Sequence, residues 1–259
     1  MNISDIAASK GIRLSRFTCG MLSRITHIDF YNAFFAEGYE GIGFCRKAID
    51  HMDIHLEAEG LENLDPDGRY TFVSNHPTGG AEGIGIPAIL GDTFGENVMI
   101  LANDLLNSLH GMSSLSVPVS IVGKNKRSIK KVIDDAFHSD KQIVTFPAGI
   151  CSRMIDGRLQ DLTWKKSFVT ESVETGRHIV PVYVDGRNSR RFYRIAAIRK
   201  ALRIKSNFEM LLLPDELFRQ RGNTIRIKFG KPVPPSAIDS SRTPQEWAAW
   251  FREQVYRLQ

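Results

Sequence analysis

From residue 54 onward the chain alternates between two hydrophobic periods. Short runs rich in β-branched and aliphatic residues occur at His55–Ala58, Tyr70–Ser74, Asn97–Ala102, Val117–Ile121, Gln142–Phe146, Ile179–Val184 and Thr224–Phe229, each of a length suited to a strand. Between them, helical spacing predicts helices over Gly83–Leu90, Asp104–Leu109, Ser128–Phe137, Lys165–Thr175 and Arg190–Ile204, and Thr243-Pro244 opens a last helix running through Leu258. Strands alternating with helices predict an α/β fold, with a mixed, largely parallel sheet covered by helices on both faces. Upstream, Ile12, Leu14, Phe17, Met21 and Leu22 recur near helical spacing, and Gly38, Gly41 and Gly43 interrupt the pattern. This predicts an N-terminal helical extension, residues 1–53, ahead of a main domain at 54–259. The aromatic face formed by Phe30, Tyr31, Phe34, Phe35 and Tyr39 suits either packing on that domain or contact with lipid. No internal repeat, low-complexity tract or long linker divides the chain.

Composition excludes disorder: 42% hydrophobic and 24% charged residues over 259 positions can bury a core. The formal charge of +5 favours anionic partners, and two stretches concentrate it. Lys124, Lys126, Arg127, Lys130 and Lys131 lie together without an acid, as a solvated helix face or a contact for a phosphate-bearing cofactor or an acidic carrier protein. Residues 186–205 hold Arg187, Arg190, Arg191, Arg194, Arg199, Lys200, Arg203 and Lys205, again without an acid, and interleave them with Phe192, Ile195, Ile198 and Leu202. Such a basic amphipathic pattern suits an anionic membrane surface, with carrier binding and a plain solvated face as the other readings. No aromatic-basic motif sits on a strand, so nucleic acid is not expected. Cys19, Cys45 and Cys151 lack the spacing of a disulfide framework or a zinc site. His51 and His55 stand four apart, but the helix is expected to end between them, and no metal site is expected. Met1–Lys10 lacks a secretory pattern and no uncharged apolar run reaches about 18 residues. The expected location is therefore peripheral, on the cytoplasmic face of the inner membrane.

In sheets of this kind, sites gather beyond the carboxyl ends of strands. Three strand ends here carry polar chemistry. At the first, Ser74-Asn75-His76-Pro77-Thr78-Gly79-Gly80-Ala81-Glu82, Pro77 stops the ladder, the glycines permit a tight turn, and a carboxylate follows His76 by six positions. A neutral imidazole can take a proton from a hydroxyl if a carboxylate fixes its tautomer and stabilises the imidazolium; a lone His at such a turn also fits a structural role. At the second, Phe146-Pro147-Ala148-Gly149-Ile150-Cys151-Ser152-Arg153 ends in a hydroxyl and a guanidinium, which together with freed backbone amides would bind phosphate or an acyl carrier. At the third, Val184-Asp185-Gly186-Arg187-Asn188-Ser189 breaks a buried-type strand into polar residues. There is no Gly-x-Ser-x-Gly elbow and no P-loop order after Gly123, and Cys151 reads as a small buried residue rather than a nucleophile.

Taken in this order, the segments resemble the glycerolipid acyltransferase family over roughly residues 54–235, and in particular its hemolysin-like and ornithine-lipid O-acyltransferase branch. The family's first motif is an Asn-His pair followed after four residues by Asp; here Asn75-His76 is followed after five by Glu82. Its Phe-Pro-Glu-Gly-Thr-Arg-Ser motif appears with Ala148 for the glutamate and Cys151 for the arginine. Motif two is loosely matched at Val119–Lys124 and motif four at Ile179–Val182. Phe-Pro-Ala-Gly-x-x-Ser-Arg, Trp164-Lys165-Lys166 and Gly186-Arg187-Asn188-Ser189 carry the likeness to the branch.

The resemblance implies transfer of an acyl group from acyl-CoA or acyl carrier protein to a lysolipid hydroxyl. His76 would be the general base and Glu82 its orienting acid. Asn75, Gly79, Gly80, Lys124, Gly149, Ser152 and Arg153 would line the substrate site, with amides near Gly79-Gly80 or Gly149 stabilising the oxyanion. It implies no permanently bound cofactor and no metal. The implied partners are the thioester donor, the lysolipid acceptor, an anionic membrane surface and acyl carrier protein. The acyl chain would lie between the N-terminal helices and the Ile84–Leu90 helix. A non-catalytic carrier- or membrane-binding protein on the same scaffold is the alternative; the approach of Glu82 to His76 separates the two.

Overall fold

The computed structural model describes residues 15–102, 110–118, 126–204 and 207–259. One sheet of seven strands runs through it: β1 (His55–Glu59), β2 (Tyr70–Ser74), β3 (Val98–Ala102), β4 (Ser116–Pro118), β5 (Gln142–Thr145), β8 (His178–Asp185) and β9 (Thr224–Phe229), in the order β1-β9-β8-β2-β5-β3-β4. Strands β8, β2, β5, β3 and β4 are parallel, β9 is antiparallel to β8, and β1 pairs parallel with β9 at the edge. The sheet is thus mixed and largely parallel, as the alternation predicted. Every residue of β2 is buried, because it lies mid-sheet with β5 and β8 on its flanks and helices on both faces. On one face α3 (Gly41–His51) and α4 (Ala81–Phe94) pack over Phe72, Val144, Val180 and Ile227. On the other, α6 (Ser167–Glu174) and α9 (Pro244–Arg257) bring Phe168, Val169, Trp247, Phe251 and Val255 onto Val73 and Ile179. Each large side chain so buried stabilises the fold by roughly 1.5–3 kcal/mol.

Helix α1 (Arg16–Ile25) leads into α2 (Ile28–Phe35), and α2 and α3 lie against the main body. Phe34 is buried in the main core, Phe30 meets the Phe218 ring edge-on at 5.1 Å, and the Tyr31 hydroxyl donates to the Pro214 carbonyl at 2.7 Å. Of the two readings of the aromatic face, packing on the protein is the one observed for these residues. Gly41 and Gly43 do not break a helix as expected: Gly41 opens α3 and Gly43 lies inside it. His51 ends α3 with its ring 4.3 Å from that of Phe30, whereas His55 opens β1, so the two histidines share no helix face.

Several boundaries moved. The first crossover helix begins at Ala81, two residues earlier than predicted, and runs to Phe94 through Pro87. Helix α5 spans Lys126–His138, and α7 spans Arg190–Ala201 before Arg203, at φ 55°, turns the chain. A two-stranded ribbon, β6 (Arg153–Ile155) and β7 (Arg158–Gln160), a short 3-10 helix at Phe208–Leu212 and helix α8 (Leu213–Phe218) were not anticipated. The helix expected at Asp104–Leu109, residues 119–121 of the expected fourth strand, and Lys124 lie outside the described residues.

Candidate active site

Because β5, β2 and β8 are adjacent and parallel, their carboxyl ends bring the three polar segments together. Asn75 continues the pairing past the end of β2: its side-chain amide donates to the Val184 carbonyl at 2.9 Å and its carbonyl oxygen accepts from the Val184 N–H at 2.7 Å. It is buried. Asn75 therefore holds His76 at a fixed height above the sheet. The imidazole stacks on Phe146, centroids 4.4 Å apart, and its Nδ1 lies 2.8 Å from Glu82 Oε1. The ring N–H points off the direct line to that oxygen, so the contact is electrostatic first, a geometry that commonly tightens when substrate binds.

Glu82 reaches His76 because α4 starts early. From the first turn of that helix, where the backbone dipoles favour an anion, its carboxylate folds back over the turn. Oε1 accepts from the Thr78 N–H at 3.0 Å and the Gly79 N–H at 2.9 Å, and Oε2 from the Thr78 hydroxyl. Gly79 allows this path: its φ is +81°, and a Cβ there would come 3.0 Å from the Cys151 Cβ. The Glu82 side chain is fully buried. Burial raises its pKa, but the His76 ring beside it and the hydrogen bonds from Thr78 together outweigh that and hold it at about 2. The extra residue in the turn and the longer acid thus compensate for each other.

The amides of Thr78 and Gly79 are engaged by Glu82, while those of Gly80 and Ala81 face the Thr78 hydroxyl at 3.4 and 3.1 Å. The amides of the Gly79-Gly80 turn therefore face acceptors within the turn itself. The second segment differs. Gly149 is exposed, and its N–H closes a β-turn onto the Phe146 carbonyl at 2.9 Å. The Ala148 and Ile150 N–H groups have no partner among the described residues. The Lys165 ammonium, exposed and without a carboxylate partner among the described residues, stands over this turn, 3.5 Å from where a Gly149 Cβ would lie.

Ser152 is buried and its hydroxyl donates to Asp161, while its N–H donates to the His76 carbonyl at 2.7 Å. Arg153 donates to the carbonyl of Cys151 at 2.7 Å and to Glu209 at 2.9 Å, with its guanidinium 5.3 Å from the Phe192 ring centroid. Both are fastened to other parts of the protein. The residue missed from the sequence is Asp161. Buried just beyond the β6–β7 ribbon, it accepts from the His76 N–H at 3.2 Å, the Ser152 hydroxyl and the Trp164 indole N–H at 2.8 Å, tying the first two segments together. Burial pushes its carboxyl upward, against the pull of these donors. Asp156-Gly157, at φ 50° and 76°, is the tight-hairpin signal that marks the ribbon carrying it. Cys151 is also buried, and burial drives its thiol up to about 11, which rules against a thiolate nucleophile.

Chemically, the arrangement presents an imidazole with one nitrogen held at a buried carboxylate and the other free to exchange a proton, beside a turn whose Ala148 and Ile150 amides have no partner among the described residues. A protein-family model described as an acyltransferase matches residues 3–259. A lyso-glycine lipid O-acyltransferase of Phocaeicola vulgatus is 42% identical over 254 residues, covering 97% of this chain and 91% of that protein. Another of the same description, from Bacteroides thetaiotaomicron, is 41% identical over 247 residues, covering 95% and 91%. The fold matches the crystal structure of the 1-acyl-sn-glycerophosphate acyltransferase PlsC from Thermotoga maritima at a TM-score of 0.50 and 22% identity, over 84% of this chain and 77% of that one. With the family model spanning nearly its whole length, this chain belongs to the acyltransferase family.

Proposed function

We propose that this protein transfers a fatty acyl group from an acyl thioester to the hydroxyl of a lysolipid of the glycine-lipid type, with His76 as general base. The observation that carries this reading is the 2.8 Å approach of His76 Nδ1 to the buried Glu82; it also counts against a scaffold that has lost its chemistry. His76 Nε2 takes the proton of the acceptor hydroxyl as its oxygen attacks the thioester carbonyl. Glu82 stabilises the imidazolium, the Ala148 and Ile150 amides face the oxyanion, and collapse expels a thiolate that takes the proton back from His76. No acyl-enzyme forms, and no metal is called for. Donor phosphates, of coenzyme A or of the carrier's prosthetic arm, would meet Lys124. The site works at the cytoplasmic face of a membrane, where lysolipid is found.

The acceptor class follows from relatives' names and from the site's own departures. A glycine headgroup amide-linked to a fatty chain presents one carboxylate and no phosphate. The position where a phosphate-binding arginine is usual is here Cys151, buried, and Arg153 is committed to Glu209. Lys165 is an exposed cation over the turn, a match to one carboxylate. The test is a panel of lyso-glycine lipid, lyso-ornithine lipid and lysophosphatidate with acyl-carrier and acyl-CoA donors. Lyso-glycine lipid should show the highest kcat/KM, and Lys165→Gln should raise its KM several-fold. Preference for lysophosphatidate, or an unchanged KM in the variant, would reject the acceptor assignment.

A further inference from the structure

The roof over the His76 turn is built from β8's exit, α7, the 3-10 helix and α8. Asn188 donates to the Thr78 carbonyl at 3.1 Å, Ser189 is held by Glu216, and Leu213 and Leu217 lie over Gly79 and Gly80. Its underside is locked around buried Glu209, which pairs with Arg153 from β6 and Arg199 from α7, each at 2.9 Å. Arg199 also donates to the Ile204 carbonyl at 2.9 Å, fixing the turn after α7. The outer side has the opposite character. Ile198, Leu202 and Leu211 are 58%, 66% and 67% exposed, with Ile204 and, on the neighbouring β6, Met154 also open to solvent. Around them Arg190, Arg194, Lys200 and Arg203 are exposed and have no carboxylate partner among the described residues. Arg194, Ile198 and Leu202 follow at helical spacing, so cations and aliphatic side chains share one stripe.

We propose that this outer face, α7 with the following turn and Leu211, docks on an anionic lipid surface and sets the mouth of the acyl-transfer site against it. Isolated exposed aliphatics are ordinary, but four aliphatics ringed by unpaired cations on a rigid platform match a headgroup layer over acyl chains. An acidic carrier protein would meet the same cations, yet would leave protruding Ile198, Leu202 and Leu211 without an apolar layer to enter. The proposal deepens the lysolipid reading and names the surface on which that substrate reaches the site.

The experiment is co-sedimentation of the purified full chain with vesicles of equimolar phosphatidylglycerol and phosphatidylcholine, and with phosphatidylcholine alone. The variants are Lys200→Glu/Arg203→Glu and Leu202→Ser/Leu211→Ser; Arg199 is left alone because it is part of the Glu209 lock. Wild type should bind the anionic vesicles, with affinity falling as salt rises from about 50 to about 500 mM. The charge variant should lose about tenfold or more in affinity, and the aliphatic variant a similar amount. Both should retain wild-type turnover of a short-chain, monomeric lysolipid, which reports an intact site and keeps this outcome separate from failure of the catalytic reading. Wild-type-like vesicle binding by both variants, salt-insensitive binding, or no binding at all would overturn the proposal. So would unchanged vesicle binding with a raised KM for acyl carrier protein, which would give the face to the carrier.

Discussion

At the scale of single residues, the proposed chemistry rests on a buried carboxylate made to stay charged. Glu82 has its pKa held at about 2, below the ordinary 4.5, so its ionised form favours the folded state. That contribution is fully present above about pH 4.5 and disappears as pH falls toward 2, and by linkage it is worth roughly 3 kcal/mol. Glu82→Gln should therefore flatten the acid limb of the stability profile across that window, read from denaturant midpoints at successive pH values, and should lower kcat with little change in KM. An unaltered acid limb would mean that Glu82 does not anchor the turn. His76 and Glu82 were legible as a pair because both lie in one short segment ending a strand. The partners of Asn75, Ser152 and Arg153, which are Val184, Asp161 and Glu209, were not legible because only the fold brings them together. Residue type marked the first three as polar and placed them near the site; it could not say that their hydrogen bonds were already taken.

At the scale of elements, the parallel strands were legible because each is a short aliphatic run, and a parallel strand buried on both faces needs no other pattern. The β6–β7 ribbon was not, since its two strands of three residues carry half-exposed, mixed side chains. Its consequence for the site is Asp161, whose oxygens accept from three donors on two segments and a tryptophan. Asparagine would turn an N–H₂ group toward donors and leave at least one buried group unpaired, costing about 1–3 kcal/mol. Asp161→Asn should lower the unfolding midpoint and also reduce kcat, because the His76 backbone loses its tether. A variant with reduced stability but wild-type kcat would show that the ribbon supports the fold without positioning the site. The early start of α4 was missed for a related reason: Gly79 and Gly80 read as a turn leading to a helix from Gly83, while the hydrogen bonds of Thr78 and Glu82 secure a helix start at Ala81.

Across the whole molecule, a sheet that places three loops at one end, a roof fastened over them and an outer face of cations and aliphatics assign distinct tasks to distinct parts. The α/β class and the shared strand-end site were legible from alternation alone; which cations face solvent was not, because burial of Arg153 and Arg199 depends on Glu209, a residue outside every motif. Catalysis as proposed requires His76 to move the acceptor's proton. Initial rates of acylated product formation from lyso-glycine lipid and an acyl thioester, measured for wild type and a folded His76→Ala side by side, test it most directly. The account predicts a loss of kcat of about 10²–10⁴-fold at near-unchanged thermal midpoint; equal turnover by the two proteins would contradict it.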